Sequence, residues 1–160
     1  MSGDNTSKKS TATRRSRARL AAPPAGVMVK AGDSGGLTGF GAEPSTADDA
    51  RRSLEAGTIQ PSGDPRTIAD GLRTSLGDRT FAVISRYVDG IVTSTDAELI
   101  DATRFVWERL KLVIEPSSAV VVAPLLSGAL SLPGLRVGII LSGGNVDVEP
   151  FFQSLAARWL

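Results

Sequence analysis

A serine followed by two glycines ends an apolar segment near the carboxyl end of the chain. In RVGIILSGGNVD (residues 136–147), apolar residues lead into Ser142, and Gly143 and Gly144 come next. Ligands of α/β proteins bind beyond the carboxyl ends of strands. A hydroxyl there can hydrogen-bond a ligand, and glycines let backbone groups approach it closely. An ordinary strand-to-helix turn has the same residues, so the spacing leaves both interpretations open.

Three carboxylates form a second group, in GAEPSTADD (residues 41–49). Glu43 follows a short apolar segment, and Asp48 and Asp49 fall in the first turn of the predicted helix that comes after it. Carboxylates placed in this way can share a hard divalent cation, with backbone carbonyls completing its coordination. Alternatively, the two aspartates only complement the positive end of the helix dipole.

Two further positions suggest close contacts. Gly71 lies in TIADG, inside a predicted helix, where glycine costs about 1 kcal/mol relative to alanine. Such a glycine marks either the close approach of a ring or backbone, or a helix-packing contact. Glu115 precedes Pro116 at a predicted helix start, where a carboxylate favours the helix dipole and capping is the simplest role.

The composition limits which side chains among these 160 residues can act as catalysts or metal ligands. Because the chain has no cysteine and no histidine, it holds no thiolate ligand, cysteine nucleophile or imidazole base. Its lysines are few, namely Lys8, Lys9, Lys30 and Lys111. Chemistry must therefore come from Lys, Asp, Glu, Ser or a bound cofactor.

The basic residues are concentrated at the amino end. Residues 1–20 carry six Lys and Arg against one acidic residue, whereas the rest of the chain is mildly acidic. We predict a disordered basic tail over 1–36 and a folded portion over 37–160. Nucleic-acid binding is not expected of the folded portion. The chain has no apolar stretch of about 20 residues and no apolar core of a secretory signal, so the expected location is cytoplasmic, without a membrane partner.

Alternating apolar segments and capped helical patterns predict an α/β fold with an open, mainly parallel sheet and flanking helices. The segment RVGIILS has apolar residues on both faces, which is typical of a central strand covered on each side. The predicted strands are 37–43, 89–95 and 136–142, and the predicted helices are 44–57, 64–77, 79–88, 96–112, 115–134 and 148–160.

Four motifs occur together in a fixed order: GAEPSTADDARRSLEAG, TIADGLRTSLG, VDGIVTSTDAELIDATRFVWERLKLVIEPSSA and RVGIILSGGNVD. From about Leu37 to Asp147 the chain resembles the C-terminal half of fold-type II (tryptophan synthase β-like) pyridoxal-phosphate enzymes of amino-acid metabolism. The resemblance is greatest to L-serine/L-threonine ammonia-lyases (threonine dehydratases) and serine racemase. It implies an incomplete form of that fold and pyridoxal phosphate as the cofactor.

The resemblance also implies roles for individual residues. Ser142 would hydrogen-bond the pyridine nitrogen, with Gly143 in the same motif. Gly71 would pack near the cofactor, and Glu115 would lie close to the edge of its ring.

The first acidic motif corresponds to the metal site of the family. The resemblance implies that Glu43, Asp49 and the carbonyl of Ala47 bind Mg²⁺ or Ca²⁺.

The chain departs from the family in two places. Ser118 stands where the family usually has Gly or Ala. The SxKxRGA motif with the catalytic lysine is not present in these residues, and GDSGGLTGF (residues 32–40) keeps only part of the phosphate-binding glycine run. No catalytic residue is therefore assigned, and we expect the isolated chain to be inactive.

This leaves several hypotheses. The chain is part of a serine or threonine deaminase that needs a lysine-bearing half, or of a related serine racemase. Alternatively, it is a non-catalytic, metal-stabilised remnant or interaction subunit. We expect apolar surface that the absent half would cover to favour self-association.

Overall fold

The computed structural model describes residues 27–31 and 37–159. They form a four-stranded sheet with helices around it. The strands are β1 (Val27–Ala31), β2 (Leu37–Pro44), β3 (Gly90–Ser94) and β4 (Arg136–Ile139). The helices are α1 (Asp49–Ala56), α2 (Asp78–Tyr87), α3 (Asp96–Phe105), α4 (Pro116–Ala119), α5 (Ala123–Ser127) and α6 (Val148–Trp159). Within the described residues no helix is long and apolar enough to cross a membrane.

The sheet has the strand order β3-β2-β1-β4. β2 and β3 are parallel, with Glu43 opposite Thr93, whereas β1 is antiparallel to both of its neighbours. β2, β3 and β4 therefore run in the same direction. The α/β prediction is confirmed, and the predicted parallel direction holds for the three strands that the sequence analysis identified.

β1 is a strand that the sequence analysis missed. It lies within the stretch predicted to be disordered, and its backbone pairs Lys30 with Thr38 of β2 and with Val137 of β4. The segment VMVKA has two valines, which are β-branched and favour strands. It was assigned to the predicted tail because the residues around it are basic and polar. The predicted tail is thus wrong at 27–31, and its other residues lie outside the described part of the chain.

The helix predicted over 64–77 is wrong except for one 3-10 turn, Asp70–Leu72. Side chains take the backbone N–H groups that a helix would use. The N–H of Ile68 donates to Asp96, that of Ala69 to the Thr67 hydroxyl, and that of Gly71 to Asp70. Local bonds of this kind compete with helical ones and favour turns.

The helix predicted over 96–112 is confirmed as α3, followed by a π-helical turn over Val106–Leu110. Its start is a capping box, in which Thr95 and Glu98 each accept the backbone N–H of the other. The predicted helix over 115–134 divides into α4 and α5, and α5 ends at Gly128 in a left-handed conformation.

The main core lies between α3, α4 and the sheet, and it includes the fully buried side chains of Leu99, Val106, Val120 and Val121. β4 lies at an edge of the sheet, and Ile139 and Ile140 are 37% and 57% exposed. The prediction of a strand buried on both faces is therefore wrong for the described residues. The apolar pattern requires a covering layer on each face, which these residues do not supply.

Candidate functional site

Glu115 and the loop after β4 are in direct contact. The backbone N–H of Glu115 donates to the carbonyl of Gly143 at 3.3 Å, and the Glu115 carboxylate accepts the N–H of Asn145 at 3.2 Å. Gly143 has φ +87°, and a Cβ there would lie 2.6 Å from Glu115 Cδ. Only glycine fits this backbone at this distance.

This contact decides the role of Glu115. Glu115 is the N-cap of α4, but its side chain makes no capping hydrogen bond. Glu115 therefore caps α4 through its carbonyl, which accepts the N–H groups of Ser118 and Ala119, and not through its side chain. The carboxylate instead ties α4 to the loop that begins with Ser142.

Gly71 approaches the same short helix from another direction. Its N–H donates to the Ser117 hydroxyl at 3.1 Å, and a Cβ at this position would lie 3.0 Å from that oxygen. Glu115 Oε1 would be 3.8 Å from the same Cβ. Of the two alternatives for Gly71, the close packing contact is thus present.

Ser118 makes a further contact between α4 and the loop after β4. Its side chain is only 3% exposed, and its hydroxyl donates to the carbonyl of Gly143 at 3.1 Å. The sequence analysis noted Ser118 as a departure from the family but assigned no contact to it or to Ser117. The only available signal was two adjacent hydroxyls after Glu-Pro.

Ser142 is exposed, and within the described residues its hydroxyl makes no hydrogen bond to another group of the chain. It directly precedes Gly143, which places it at the edge of the cluster formed by Gly71, Glu115 and Gly143. The structure thus brings all four predicted cofactor-binding positions into one region, with one free hydroxyl.

A cleft of about 290 Å³ lies beside this region. Ser142, Glu115 and Gly143 do not line it, so it adjoins the cluster rather than coinciding with it. Its walls are formed by Ile68, Asp70, Arg73, Pro116, Asn145, Val146, Asp147, Pro150, Phe151 and Ser154.

The carboxylates predicted to bind a metal lie at the end of β2 and the start of α1. Glu43 is 6% exposed and accepts the N–H groups of Ala50 and Arg51 at 3.3 and 3.0 Å. Burial raises the pKa of Glu43 to about 7, and the nearby charges of Asp49 and Asp48 act in the same direction. Because Glu43 is buried near two other carboxylates, its ionised form is electrostatically unfavourable in the folded chain.

Asp49 is also buried, and its carboxylate accepts the N–H of Leu76 at 2.9 Å. Asp48 instead forms ion pairs with Arg51 and Arg52 at 2.6 and 2.8 Å. The two aspartates therefore do more than complement the helix dipole. Across the described residues, no group of three or more acidic side chains is placed to hold a metal ion.

Carboxylate and carbonyl oxygens are the ligand types that Mg²⁺ and Ca²⁺ take, and the metal site at Glu43, Asp49 and Ala47 stays a prediction. Asp49 lies close enough to Glu43 for its charge to raise the pKa of Glu43. The third predicted ligand, Ala47, is buried in the turn between them, where its N–H donates to the Pro44 carbonyl.

Of the four lysines, the structure describes the side chain of Lys111 alone. Lys111 is exposed at the end of the π-helical turn with φ +60°, and its ammonium group donates to the Glu108 carbonyl at 2.7 Å. Lys8 and Lys9 lie outside the described residues.

Comparisons with known proteins agree with the motifs. A family model described as "Pyridoxal-phosphate dependent enzyme" matches residues 22–143. Serine racemase of Dictyostelium discoideum is 48% identical over 120 residues, which are 72% of this chain and 37% of the relative. A β-hydroxyaspartate dehydratase of Paracoccus denitrificans (strain Pd 1222) is 46% identical over 108 residues, covering 68% of this chain and 34% of the relative.

The same likeness extends to solved structures. The crystal structure of a T.th. threonine deaminase superposes with a TM-score of 0.60 and 44% identity, over 68% of this chain and 39% of that one. The fold is therefore that of fold-type II enzymes, represented in part. The chain belongs to the family of pyridoxal-phosphate-dependent enzymes, and it spans about a third of the length of the curated relatives it matches.

Proposed function

We propose that this chain supplies the ring-nitrogen side of a pyridoxal-phosphate site, in an enzyme that deaminates serine or threonine. The observation that carries the proposal is the cluster of Glu115, Gly71 and Gly143 beside the free hydroxyl of Ser142. A hydroxyl can donate to, or accept from, a pyridine nitrogen. The residues present thus fit the ring of the cofactor.

When bound, pyridoxal phosphate supplies an electron sink that weakens the bond from the α-carbon of an amino acid to its proton. Ser142 would hold the ring nitrogen by a neutral hydroxyl. Unlike a carboxylate, a hydroxyl does not keep that nitrogen protonated, so the electron sink is weaker. This suits β-elimination or racemisation better than transamination.

The overall reaction would be elimination of water from a 3-hydroxy amino acid, then hydrolysis to a 2-oxo acid and ammonia. The names of the relatives support this substrate class, since serine, threonine and hydroxyaspartate all carry a hydroxyl on the β-carbon. A serine racemase-like activity is the second candidate, because a serine racemase is among these relatives.

We propose that the lysine that moves the α-proton comes from outside this chain, because none of its four lysines stands in an SxKxRGA motif. Lys30 pairs through its backbone in β1, and Lys111 is exposed at a helix end. We therefore propose that the chain alone is inactive and that its partner is a lysine-bearing half of the same fold. The exposed edge strand β4 is consistent with a partner at that edge.

Glu43, Asp49 and the Ala47 carbonyl would hold Mg²⁺ or Ca²⁺. The role of the ion would be structural, because it would offset the mutual repulsion of the buried carboxylates at the start of α1. A chain that bound the ion but no cofactor would instead be the non-catalytic alternative.

Titration of the full chain with pyridoxal phosphate, followed by borohydride reduction and peptide mapping, tests the proposal. We expect saturable, non-covalent binding that Ser142→Ala weakens by up to about tenfold, which corresponds to the loss of one hydrogen bond. Ammonia release from serine or threonine should be at background. Failure to bind would contradict the cofactor proposal, and one stoichiometric adduct on Lys30 or Lys111 with turnover would contradict the proposed inactivity.

A further inference from the structure

The segment Glu115–Ser118 connects two loops that are far apart in sequence. Ser117 accepts the N–H of Gly71 in one loop, and Ser118 donates to the carbonyl of Gly143 in the other. Both hydroxyl-bearing side chains are buried, at 4% and 3% exposure. The two neighbouring serines thus contact different loops.

We infer that Ser118 is a positioning residue that holds the loop of residues 142–145 against α4. Its effect on cofactor affinity rests on the proposed function, whereas its effect on the loop does not.

The carbonyl of Gly143 is the group that Ser118 holds. It accepts two hydrogen bonds, from the Ser118 hydroxyl at 3.1 Å and from the N–H of Glu115 at 3.3 Å. A carbonyl oxygen has two lone pairs, so the two donors satisfy it fully. The Ser118 bond is the shorter of the two, and its donor is a buried side chain.

Two anchors fix the direction of the loop. The carbonyl of Gly143 lies one residue after Ser142, and the N–H of Asn145, two residues further on, donates to Glu115 at 3.2 Å. Anchors at Gly143 and Asn145 therefore restrain the backbone that carries the Ser142 hydroxyl. Since Ser142 itself is exposed, these contacts supply the restraint that its own side chain does not.

A general packing role does not account for the Ser118 hydroxyl. An alanine at 118 would keep the helix and almost the same volume, and would remove only the hydroxyl. Loss of that hydroxyl leaves the Gly143 carbonyl with one weaker partner. The expected result is a looser loop in an otherwise unchanged fold.

The test is backbone amide exchange by NMR on the full chain. In Ser118→Ala we expect the amides of Glu115 and Asn145 to exchange about fivefold faster, with the amide of Gly71 unchanged. Ser117→Ala is the matched control, because it removes the neighbouring buried hydroxyl. It should accelerate Gly71 modestly, because Asp70 also accepts that N–H at 2.9 Å, and leave Asn145 unchanged.

Equal acceleration of all three amides in both variants would mean a general loss of stability and would overturn the inference. No change at Glu115 and Asn145 in Ser118→Ala would overturn it as well.

Pyridoxal phosphate affinity gives the second measurement. We expect Ser118→Ala to bind several-fold more weakly than the unaltered chain, since a looser loop must be ordered on binding. If the unaltered chain binds no pyridoxal phosphate, the proposed function fails, while the exchange rates still decide the role of Ser118. If it binds and Ser118→Ala binds equally well, the cofactor part of the inference fails.

Discussion

A Cβ on Gly143 would lie 2.6 Å from Cδ and Oε1 of Glu115, so the loop after β4 rests directly on this carboxylate. Real Cβ atoms do not approach other atoms this closely, and the positive φ of Gly143 already disfavours any other residue. The left-handed backbone and the contact with Glu115 are two separate reasons why position 143 requires glycine. A glycine that has the positive φ but no close neighbour measures the backbone effect alone.

Gly143→Ala is expected to lose more stability than a glycine-to-alanine change at another left-handed position. The left-handed backbone alone costs about 1–2 kcal/mol, and displacing the Glu115 carboxylate, which accepts the N–H of Asn145, adds about 1 kcal/mol. Gly128 is the matched control, because it has φ +79° with no atom within 4 Å of its Cβ. Urea unfolding of both variants measures the difference.

The same experiment in a Glu115→Ala background identifies the source of the added cost. There Gly143→Ala should be about as harmful as Gly128→Ala. An equal cost of the two glycine changes in the unaltered chain would contradict the importance of the Glu115 contact.

The raised pKa of Glu43 predicts that the chain loses stability as the pH rises, when stability is measured in the presence of a chelator. The pKa of Glu43 is about 7 in the folded chain, against 4.5 ordinarily. The folded state therefore retains a proton that the unfolded state releases between these values. Stability is fully present below about pH 4.5 and falls as pH rises to about 7, by up to about 3 kcal/mol from this group.

Glu43→Gln should remove that slope. Glutamine keeps one oxygen for the N–H groups of Ala50 and Arg51 and loses the other, so the variant should be about 1 kcal/mol less stable near pH 4.5. Near pH 8 it should be the more stable protein, and the two curves should cross. Parallel curves would show that Glu43 is not the source of the slope.

Divalent cations should reverse the cost of ionising Glu43. With Mg²⁺ or Ca²⁺ at pH 8, we expect the melting temperature to rise. An ion concentration of about 100 times its dissociation constant would stabilise the folded chain by about 2.7 kcal/mol. Asp49→Asn should abolish the rise. Asp78→Asn changes an exposed carboxylate at the start of α2 and should leave the rise intact.

A cation effect that is equal in all three proteins would indicate general charge screening, and no effect at all would contradict the metal site.

Ser142, Gly71 and Glu115 were unusual in type and position, but the residues alone left an ordinary turn, packing contact or cap open for each. The family resemblance grouped them with Gly143 at one cofactor, which stays a prediction, while the structure shows that the four positions lie near one another. The Ser117 and Ser118 contacts were not predictable, since the partners lie 46 and 25 residues away and hydroxyls carry little pattern.

The errors in the fold have similar causes. The helix expected over 64–77 is replaced by side-chain contacts, among them the bonds from Ile68 and Thr67 to Asp96, which is far away in sequence. The segment RVGIILS has the apolar pattern of a covered strand, but the described residues leave Ile139 and Ile140 exposed. The local sequence therefore predicted that β4 is a strand running in the same direction as β2 and β3, but not that it is exposed.

That exposure leads to the last prediction, which concerns self-association. Ile140 is 57% exposed just beyond β4, and Ile139, the last residue of β4, is 37% exposed. An apolar edge of this kind promotes pairing with another chain. We expect Ile140→Lys to reduce concentration-dependent association in analytical ultracentrifugation, with a change in stability within about 0.5 kcal/mol.

Val83→Lys is the matched control, because Val83 is also 57% exposed but lies on α2, which packs on α1 rather than on β4. It should leave association unchanged. If both lysines reduced association equally, added charge would be the cause and not the edge of the sheet. If neither did, the exposed edge would not be the surface through which copies associate, and the place proposed for the lysine-bearing partner would lose its main support.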